Sequence, residues 1–249
     1  MEDINVLSYN THCVPFVTTE KHVENIVAYV GRLVDKYNVN IIALSEIFQP
    51  WVRKSVLQKL SGVIPGSWKA SPEINTPNSA LSVSSGLLIL WKSDTVQRDG
   101  SMHTVAYNNC CQMDCFSQKG ALHVPLRVGG KILNVVHTHM QAWEIPVVCN
   151  GVRAGQFRQI SNALRKLPSE NTLIVGDFNT EPDKTFADSN NLVVVPHAGN
   201  VPPKTYPNDG SAAHYYDHAY TTNNQARIQV ASIGGDFGPS DHRAVIITL

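Results

Sequence analysis

The sequence of 249 residues lacks any apolar run that approaches the ~20 residues of a membrane-spanning helix. It also lacks a Pro/Gly/Ser-rich linker, an internal repeat and a low-complexity segment, and these absences argue against several domains joined by flexible links. Because 43% of the residues are hydrophobic, the chain can bury a large core. We therefore predict one large domain that spans residues 1–249.

Net charge of one sign is absent as well. Twenty Lys and Arg residues balance twenty Asp and Glu residues, so the formal net charge at pH 7 is zero. Proteins that bind nucleic acid usually present a broad basic surface, which this balance does not favour. We expect no stable nucleic-acid partner, although a local basic groove is compatible with the composition. The expected assembly is a monomer.

Cysteine is scarce, and no signal-peptide core precedes the first segment, INVLSYN. Five cysteines are too few for a disulfide scaffold, and they lack the paired spacing of a zinc site. The default prediction is reduced and mostly buried thiols, with one disulfide in an oxidising compartment as the alternative. We expect a soluble protein that is cytoplasmic if the chain is complete and secreted if a signal peptide has been removed.

Apolar periodicity predicts strands and helices in alternation along the chain. Helices are predicted after the capping residues Thr18 and Thr19, from Pro50, and in RAGQFRQISNALRKL. Gly129-Gly130 predicts a hairpin between two strands. The predicted strands are residues 4–10, NIIALSE, SSGLLILW, GALHVPLRV, KILNVVHTHM, TLIVGDF, YYDHAYT, RIQVASI and HRAVIITL.

Several predicted strands end at a polar residue that is capable of metal or acid–base chemistry. In packed sheets such ends lie at one rim and can converge there. This recurrence predicts a site at that rim, formed by Asn10, Glu46, His139, Asp177 with Asn179, Asp217, and Asp241 with His242.

The segment IVGDFNTEP places Asp177 and Asn179 on either side of one residue. In an extended chain their side chains point to the same face, where they suit a hard cation or a phosphate. The alternative is an Asx turn at the end of a strand. Oxygen donors from Glu46, Asp241 and the Asn10 amide extend the set, and such a set favours Mg²⁺.

His242 follows Asp241, and a neutral imidazole can take a proton from an attacking water at neutral pH. Asp217 is expected to accept from the other ring nitrogen, and His139 to contact the phosphate or the leaving oxygen. Structural alternatives to these roles stay open. Asp217 could be an acid that merely ends a strand, and Ser240-Asp241 could be a turn or a helix cap. The neighbouring His137 is expected to be a core histidine that faces away from His139.

Six motifs, SYNTH, LSEIF, HTHMQA, VGDFNTEP, YYDHAY and PSDHRAVIITL, occur in this order across the chain and together resemble the endonuclease/exonuclease/phosphatase superfamily. The resemblance implies a four-layer α/β sandwich of the deoxyribonuclease-like kind, with two packed mixed β-sheets flanked by helices. It also implies that Glu46 is the principal Mg²⁺ ligand, with Asn10 nearby, and that Asp241 supports the metal or the phosphate-binding network. Asp177 and Asn179 would orient water and phosphate, His242 oriented by Asp217 would be the general base, and His139 would stabilise the transition state.

Three segments, HTHMQA, FSQKGALHV and IIALSEIF, are similar to the neutral sphingomyelinases of that superfamily. This resemblance implies hydrolysis of sphingomyelin, or of a related phospholipid at a membrane surface, to ceramide and phosphocholine, with Mg²⁺ as cofactor and Mn²⁺ or Co²⁺ as substitutes. Lys119 would donate to a phosphate oxygen or, alternatively, be a solvated lysine. The rivals are a nuclease, another choline or inositol phosphoesterase, and a non-catalytic binding module.

Cys111 and Cys149 resemble a disulfide pair of secreted bacterial members, although the adjacent Cys110 leaves the pairing ambiguous. Those members carry a long aromatic hairpin before the final Asp-His, where this chain has ASIGGDFGP with Phe237 as its sole aromatic residue. Membrane contact would then fall to Trp51, Trp143 and the run IPVV, for which core or rim packing is the alternative.

Overall fold

A computed structural model describes residues 3–72, 84–142, 149, 151–167, 171–199, 204–207 and 214–249. Among these residues no helix is long and apolar enough to cross a bilayer. Trp143 and the run IPVV, which the sequence offered as membrane contacts, lie outside the described residues.

Thirteen strands and four α-helices make up the described part of the chain. The strands are β1 (Asn5–Asn10), β2 (Val39–Ser45), β3 (Trp68–Ala70), β4 (Leu88–Lys92), β5 (Val96–Arg98), β6 (His103–Ala106), β7 (Gly120–Val128), β8 (Lys131–His139), β9 (Thr172–Asp177), β10 (Val193–Val194), β11 (Asp217–Thr221), β12 (Arg227–Val230) and β13 (Val245–Thr248). The helices are α1 (Glu20–Lys36), α2 (Pro50–Val63), α3 (Val152–Leu164) and α4 (Lys184–Ser189). A 3₁₀ helix spans Gln112–Phe116.

Local chemistry explains where the long helices begin. The Thr19 side chain accepts a hydrogen bond from the backbone N–H of His22, which caps α1 as the sequence predicted. Pro50 begins α2, where the absence of an N–H breaks no hydrogen bond because N–H groups in the first turn have no partner within the helix. All nine strands predicted from periodicity are present, and Gly129-Gly130 joins β7 to β8 as a hairpin. The segment SSGLLILW becomes a strand only from Leu88.

The strands form two mixed sheets. The first sheet has the order β12-β13-β1-β2-β4-β3, and the second has the order β10-β11-β9-β8-β7-β5 with β6 also paired to β7. In each sheet one central pair is parallel, β1 with β2 and β8 with β9, and the other pairs are antiparallel. Each sheet is therefore mixed, as the predicted fold class requires.

Three apolar clusters show four layers. One cluster packs α1 and α2 against the outer face of the first sheet, through residues such as Ile26 and Ile42. A second fills the space between the sheets, where Ile41 and Val175 are fully buried. A third packs α3 and α4 against the outer face of the second sheet, around Phe157. The predicted four-layer α/β sandwich is confirmed.

Strand directions bring the predicted site residues to one edge. In the parallel pairs Asn10 lies opposite Ser45, and His139 lies opposite Asp177. Strand β11 runs antiparallel to β9, so its first residue, Asp217, also lies opposite Asp177. The carboxyl ends of four strands and the amino end of a fifth therefore meet at the same rim.

Close approach of β8 and β9 near this rim requires a glycine. A Cβ atom on Gly176 would overlap the backbone carbonyl oxygen of Thr138. We predict that Gly176→Ala lowers the free energy of unfolding by at least about 2 kcal/mol, because backbone rather than a flexible side chain would have to move. Chemical denaturation checks this.

The matched control is Gly62→Ala, in α2, where an added Cβ meets nothing within 4 Å. This change should leave stability unchanged or raise it by about 0.5 kcal/mol, because alanine favours a helix. Equal stability of the two variants would contradict the close approach of the strands.

Candidate active site

A cleft of about 750 Å³ opens at the rim where the strands end. Seven of the residues predicted from the sequence line it, namely Glu46, Lys119, His139, Asp177, Asn179, Asp241 and His242. Asn10 and Asp217 lie directly behind this lining and hydrogen-bond to it. The structure therefore brings together every predicted site residue except Trp143, which lies outside the described residues.

Asn10 connects the acids of the two sheets. Its Nδ2 donates to Glu46 Oε1 at 3.2 Å and to Asp177 Oδ2 at 2.9 Å. Its Oδ1 accepts from the backbone N–H of His12 at 3.0 Å. A cation ligated by Asn10 would need the amide oxygen, whereas here the amide nitrogen faces the carboxylates. Cation ligation by Asn10 stays a prediction.

Glu46 directly follows β2 and has a left-handed backbone conformation, with φ of +65°. Its Oε2 is buried and has no hydrogen-bond partner in the described part of the chain. Burial raises the pKa of Glu46 to about 7, and the positive charge of Lys119 opposes part of that rise. A buried carboxylate oxygen without a donor is costly, so this atom fits a bound cation.

Two donor sets could hold that cation. Glu46, Asp177 and Asp241 all present carboxylates to the cleft, and they form the oxygen-rich set that suits Mg²⁺. A second set, Asp177 with Asp217 and His242, has ligand atoms within 4.8 Å of one another. Glu46 Oε2 and Asp217 Oδ1 are both buried without a partner among the described residues. Asp217 lies behind the cleft lining and is hydrogen-bonded to His242, whereas Glu46 faces the cleft, so the first set is the better fit.

His242 and Asp217 form a buried pair. His242 Nδ1 lies 2.8 Å from Asp217 Oδ2, and Nε2 faces Asp177 Oδ2 at 3.6 Å. Burial by itself would lower the pKa of His242, but the carboxylates of Asp217 and Asp177 outweigh it and raise that pKa to about 10. The pair thus has the geometry of a base held by an acid, and its charge state depends on the neighbouring carboxylates.

The backbone around this pair is held from two sides. The hydroxyl of Thr205 accepts from the backbone N–H of Asp217 at 3.0 Å. The hydroxyl of Ser240 accepts from the backbone N–H of His242 at 3.1 Å and donates to the carbonyl oxygen of Asn10 at 2.7 Å. Ser240 therefore makes the cap-like turn that the sequence analysis considered, and that turn also fixes His242.

Lys119 is buried, with a relative exposure of 5%, so the alternative of a solvated lysine is wrong. Its ammonium lies 3.0 Å from Asp114 Oδ2, 2.8 Å from the carbonyl oxygen of Met140 and 3.0 Å from His139 Nε2. An ammonium has three N–H donors, and these three partners account for them. Burial and the Lys119 charge hold the pKa of His139 well below its usual value.

Asp177 and Asn179 lie together in the cleft, but not because the chain is extended. Asn179 has φ of +52°, and its backbone N–H donates to Asp177 Oδ1 at 2.8 Å. This is the Asx turn that the sequence analysis kept as an alternative. The extended-chain explanation is wrong, and the turn itself brings both side chains to the site.

Two disulfides flank the site, so the default prediction of reduced thiols is wrong. Cys111 pairs with Cys149, as the resemblance implied, and Cys110 pairs with Cys115. Cys13 is free and buried. Because the bridges surround the 3₁₀ helix that carries Asp114, they hold the partner of Lys119 in place.

His137 is a core histidine, with a relative exposure of 0%, as expected. Its Nε2 lies 3.3 Å from Ser45 Oγ in the opposite sheet. It therefore points between the sheets, in the same direction as His139, and the expectation that the two face away from each other is wrong because residues two apart in a strand share a face.

Several residues at or directly behind the cleft were not predicted from the sequence. Asp114 and Thr205 lie in segments without apolar periodicity, so neither residue could be predicted as the end of a strand. Tyr216, which also lines the cleft, precedes Asp217 within the motif YYDHAY, and its place in that motif could have identified it as a site residue. Tyr206 packs against His242 with ring centroids 4.6 Å apart and stacks on Tyr216 at 5.7 Å.

This geometry agrees with the comparison to protein families. The model described as Endonuclease/Exonuclease/phosphatase family matches residues 7–242. The chain belongs to this family. All the strand-end residues at the cleft lie within the matched range, so the six-motif resemblance is confirmed.

Comparisons with individual proteins point to one branch of the endonuclease/exonuclease/phosphatase family. A curated relative, Sphingomyelinase C 2 of Leptospira interrogans, is 29% identical over 157 residues, which cover 57% of this chain and 24% of the relative. The matched region thus spans about a quarter of that protein. This similarity supports the neutral sphingomyelinase-like branch.

Solved structures share the fold at low identity. Sphingomyelinase C from Streptomyces griseocarneus gives a TM-score of 0.77 at 19% identity, covering 100% of this chain and 99% of that one. Beta toxin of Staphylococcus aureus (an F277A, P278A mutant) with bound magnesium ions gives 0.76 at 17% identity, covering 98% and 99%. Humanized D. rerio TDP2 gives 0.71 at 14% identity, covering 99% and 98%.

The residue after Asp217 has a different environment. His218 points to the other face of β11, where it is fully buried and stacks on Phe178 with ring centroids 4.3 Å apart. Burial lowers its pKa to about 3. The unfolded chain, with a histidine pKa near ~6.5, therefore binds this proton more readily than the folded protein does over the range between the two values.

We predict that this difference makes stability fall as the pH drops below about 6.5, by up to about 1.4 kcal/mol per pH unit for this group. His218→Phe should reduce the slope of unfolding free energy against pH between 6.5 and 4.5. His103→Phe, at an exposed position, is the control. Parallel pH profiles for wild type and His218→Phe would show that His218 is not buried in its neutral form.

Proposed function

We propose that this chain is a metal-dependent phosphodiesterase that hydrolyses sphingomyelin to ceramide and phosphocholine. The observation that carries the proposal is the placement of the His242–Asp217 pair beside the carboxylates of Glu46 and Asp177 in one cleft. The similarity to Sphingomyelinase C 2 supports the choice of phosphoester.

The proposed reaction breaks the bond between phosphorus and the ceramide oxygen. Asp177 and Asn179 orient the water and the phosphate, and His242 Nε2 takes the proton of the water as it attacks phosphorus. Asp217 keeps the ring oriented through Nδ1. The ceramide oxygen leaves with the electron pair of the broken bond and takes a proton from solvent water, while His242 returns its own proton to solvent. Lys119 donates to His139 Nε2 and fixes the ring, so His139 with the Lys119 charge behind it stabilises the leaving oxygen electrostatically.

A divalent cation, Mg²⁺ with Mn²⁺ or Co²⁺ as substitutes, would neutralise phosphate charge and polarise the phosphorus centre when bound at Glu46, with Asp241 in support. His242 accepts a proton only as neutral imidazole, whereas Asp217 and Asp177 favour its charged form. A positive charge must therefore offset part of the negative charge of these carboxylates before His242 can act as a base. We propose that a cation bound at the free oxygen of Glu46 supplies it.

The charge of the cleft bears on the nuclease alternative. Its described lining contains four carboxylates, Glu46, Asp114, Asp177 and Asp241, and a single lysine, Lys119, which is buried and paired. Nucleic-acid backbones are usually bound by several exposed cations. A zwitterionic phosphocholine group, with one phosphate and one quaternary ammonium, fits an acidic cleft better than a polyanion does.

One pair of assays tests the proposal. Purified protein should release phosphocholine from detergent-dispersed sphingomyelin only when a divalent cation is present, and it should not nick plasmid DNA. Plasmid nicking without phosphocholine release would favour the nuclease. Inositol phosphate or phosphorylated glycerophospholipid substrates, assayed in parallel, identify another phosphoesterase, and no turnover of any substrate would favour a binding module.

Glu46→Gln should lower both cation affinity and phosphocholine release by at least about 10²-fold, because a neutral amide holds Mg²⁺ poorly. Glu24→Gln, on the exposed face of α1, is the control. Cation binding measured by calorimetry separates loss of the ion from loss of fold. Wild-type turnover by Glu46→Gln at ordinary Mg²⁺ concentration would refute the ligand role.

His242→Ala should lower kcat by about 10²-fold or more, the usual contribution of a positioned acid–base group. Asp217→Asn should lower it less, since it would disturb the orientation and tautomer of His242 without removing the base. Both variants should be compared by kcat at saturating substrate and by thermal melting. A larger loss in Asp217→Asn than in His242→Ala would contradict the assigned roles.

A further inference from the structure

Exposed apolar side chains surround the mouth of the cleft. Phe16 is 95% exposed, Val17 69%, Met113 76% and Phe116 49%. Three of these residues, Phe16, Met113 and Phe116, line the cleft itself, together with Val14 and Pro15. We call the set Phe16, Val17, Met113 and Phe116 the mouth patch. Large apolar side chains gathered at one opening on a protein surface commonly mark an interaction site.

The backbone at Phe16 supports this interpretation. Phe16 has φ of +68°, a left-handed conformation that a bulky residue adopts at a cost. The short turn that carries it is closed by Thr18, whose N–H and hydroxyl both donate to the carbonyl oxygen of Val14. This strained turn holds an aromatic ring in solvent, and neither the strain nor the exposed ring stabilises the folded state.

The other half of the mouth patch is rigid. Met113 and Phe116 lie on the 3₁₀ helix Gln112–Phe116, which the Cys110–Cys115 and Cys111–Cys149 disulfides enclose. Asp114, between them, accepts from the backbone N–H of Ala142 and pairs with buried Lys119. The apolar side chains are thus presented on a fixed element and do not collapse onto the protein.

Charge selects the partner. Among the described residues that line the cleft there is no arginine, and the ammonium of Lys119 is buried and paired. The mouth therefore offers apolar contact without the cations that would attract anionic lipid or nucleic acid. A zwitterionic lipid surface matches this combination, and its phosphodiester groups lie at the depth that the cleft has to reach.

We propose that the mouth patch docks the protein on a zwitterionic phospholipid bilayer, with Phe16 and Met113 entering the headgroup region. This inference rests on the proposed function, because it assumes that the phosphodiester in the cleft belongs to a lipid.

The test measures binding separately from catalysis. Binding to sphingomyelin–phosphatidylcholine vesicles is followed by co-sedimentation in EDTA, so that no turnover is needed. The double variant Phe16→Gly with Met113→Ser should bind about tenfold more weakly or worse, because two large apolar side chains are lost from the interface. Val193→Ser, which removes an exposed apolar side chain on β10, is the matched control and should bind as wild type does.

A folding defect is distinguishable from a docking defect. Glycine adopts a positive φ without strain, so Phe16→Gly alone should melt at the wild-type temperature or above it while binding vesicles more weakly. Adding phosphatidylserine to the vesicles should not strengthen wild-type binding.

Three results would overturn the docking proposal. They are wild-type protein that does not bind these vesicles, a double variant that binds them as wild type does, and a double variant that changes a dimer into a monomer in sedimentation, which would make the patch an interface between two copies. Phosphocholine release from detergent-dispersed sphingomyelin by wild type tests the proposed function independently. Release without vesicle binding would reject the docking surface alone.

Discussion

The hydrogen bond from Asn10 Nδ2 to Asp177 Oδ2 joins the two sheets at the edge where their strands end. Asn10 belongs to the first sheet and Asp177 to the second, so the contact fixes one rim against the other. The same amide also donates to Glu46. Because Asp177 in turn faces both His139 and His242, the positions of Glu46, Asp177 and these two histidines relative to one another depend on this junction.

Burial at that junction makes the negative charges of the carboxylates costly. The carboxylates at the rim are mostly removed from water, and the described residues give them only a few donors. Burial raises the pKa of Glu46 and of Asp217, while the acids together raise the pKa of His242. Buried charges of this kind persist in proteins when something compensates them. A bound cation would serve that purpose, and Glu46 Oε2 is a buried carboxylate oxygen of the described cleft lining that lacks a donor.

The rim residues were predictable because they follow strands with strong apolar periodicity. Such strands end at, or directly before, Asn10, Glu46, His139 and Asp177. The parallel pairing of these strands then places the four residues at one rim. The 3₁₀ helix, the strand β6 and the Cys110–Cys115 bridge were not predictable in this way, since they are short and their positions depend on contacts distant in sequence. Asn179 shows a further limit, because spacing cannot distinguish an extended chain from a turn.

The connection from β1 to α1 links the two functional regions of the molecule. It begins at Asn10, which organises the acids, and within six residues reaches Phe16, which is almost fully exposed. Between these two points His12 lies 3.5 Å from Asp241, and Cys13 is buried in the core beneath. The connection is thus held at its base by the hydrogen bonds of Asn10 and the contact between His12 and Asp241, and it is shaped at its tip by a closed turn. A change at the tip can alter the contact with a surface while leaving the base in place, because the strain at Phe16 is confined to a turn with its own hydrogen bonds. Members of a family that share the rim can therefore differ in the surfaces they meet, and access to the substrate can vary separately from the chemistry at the strand ends.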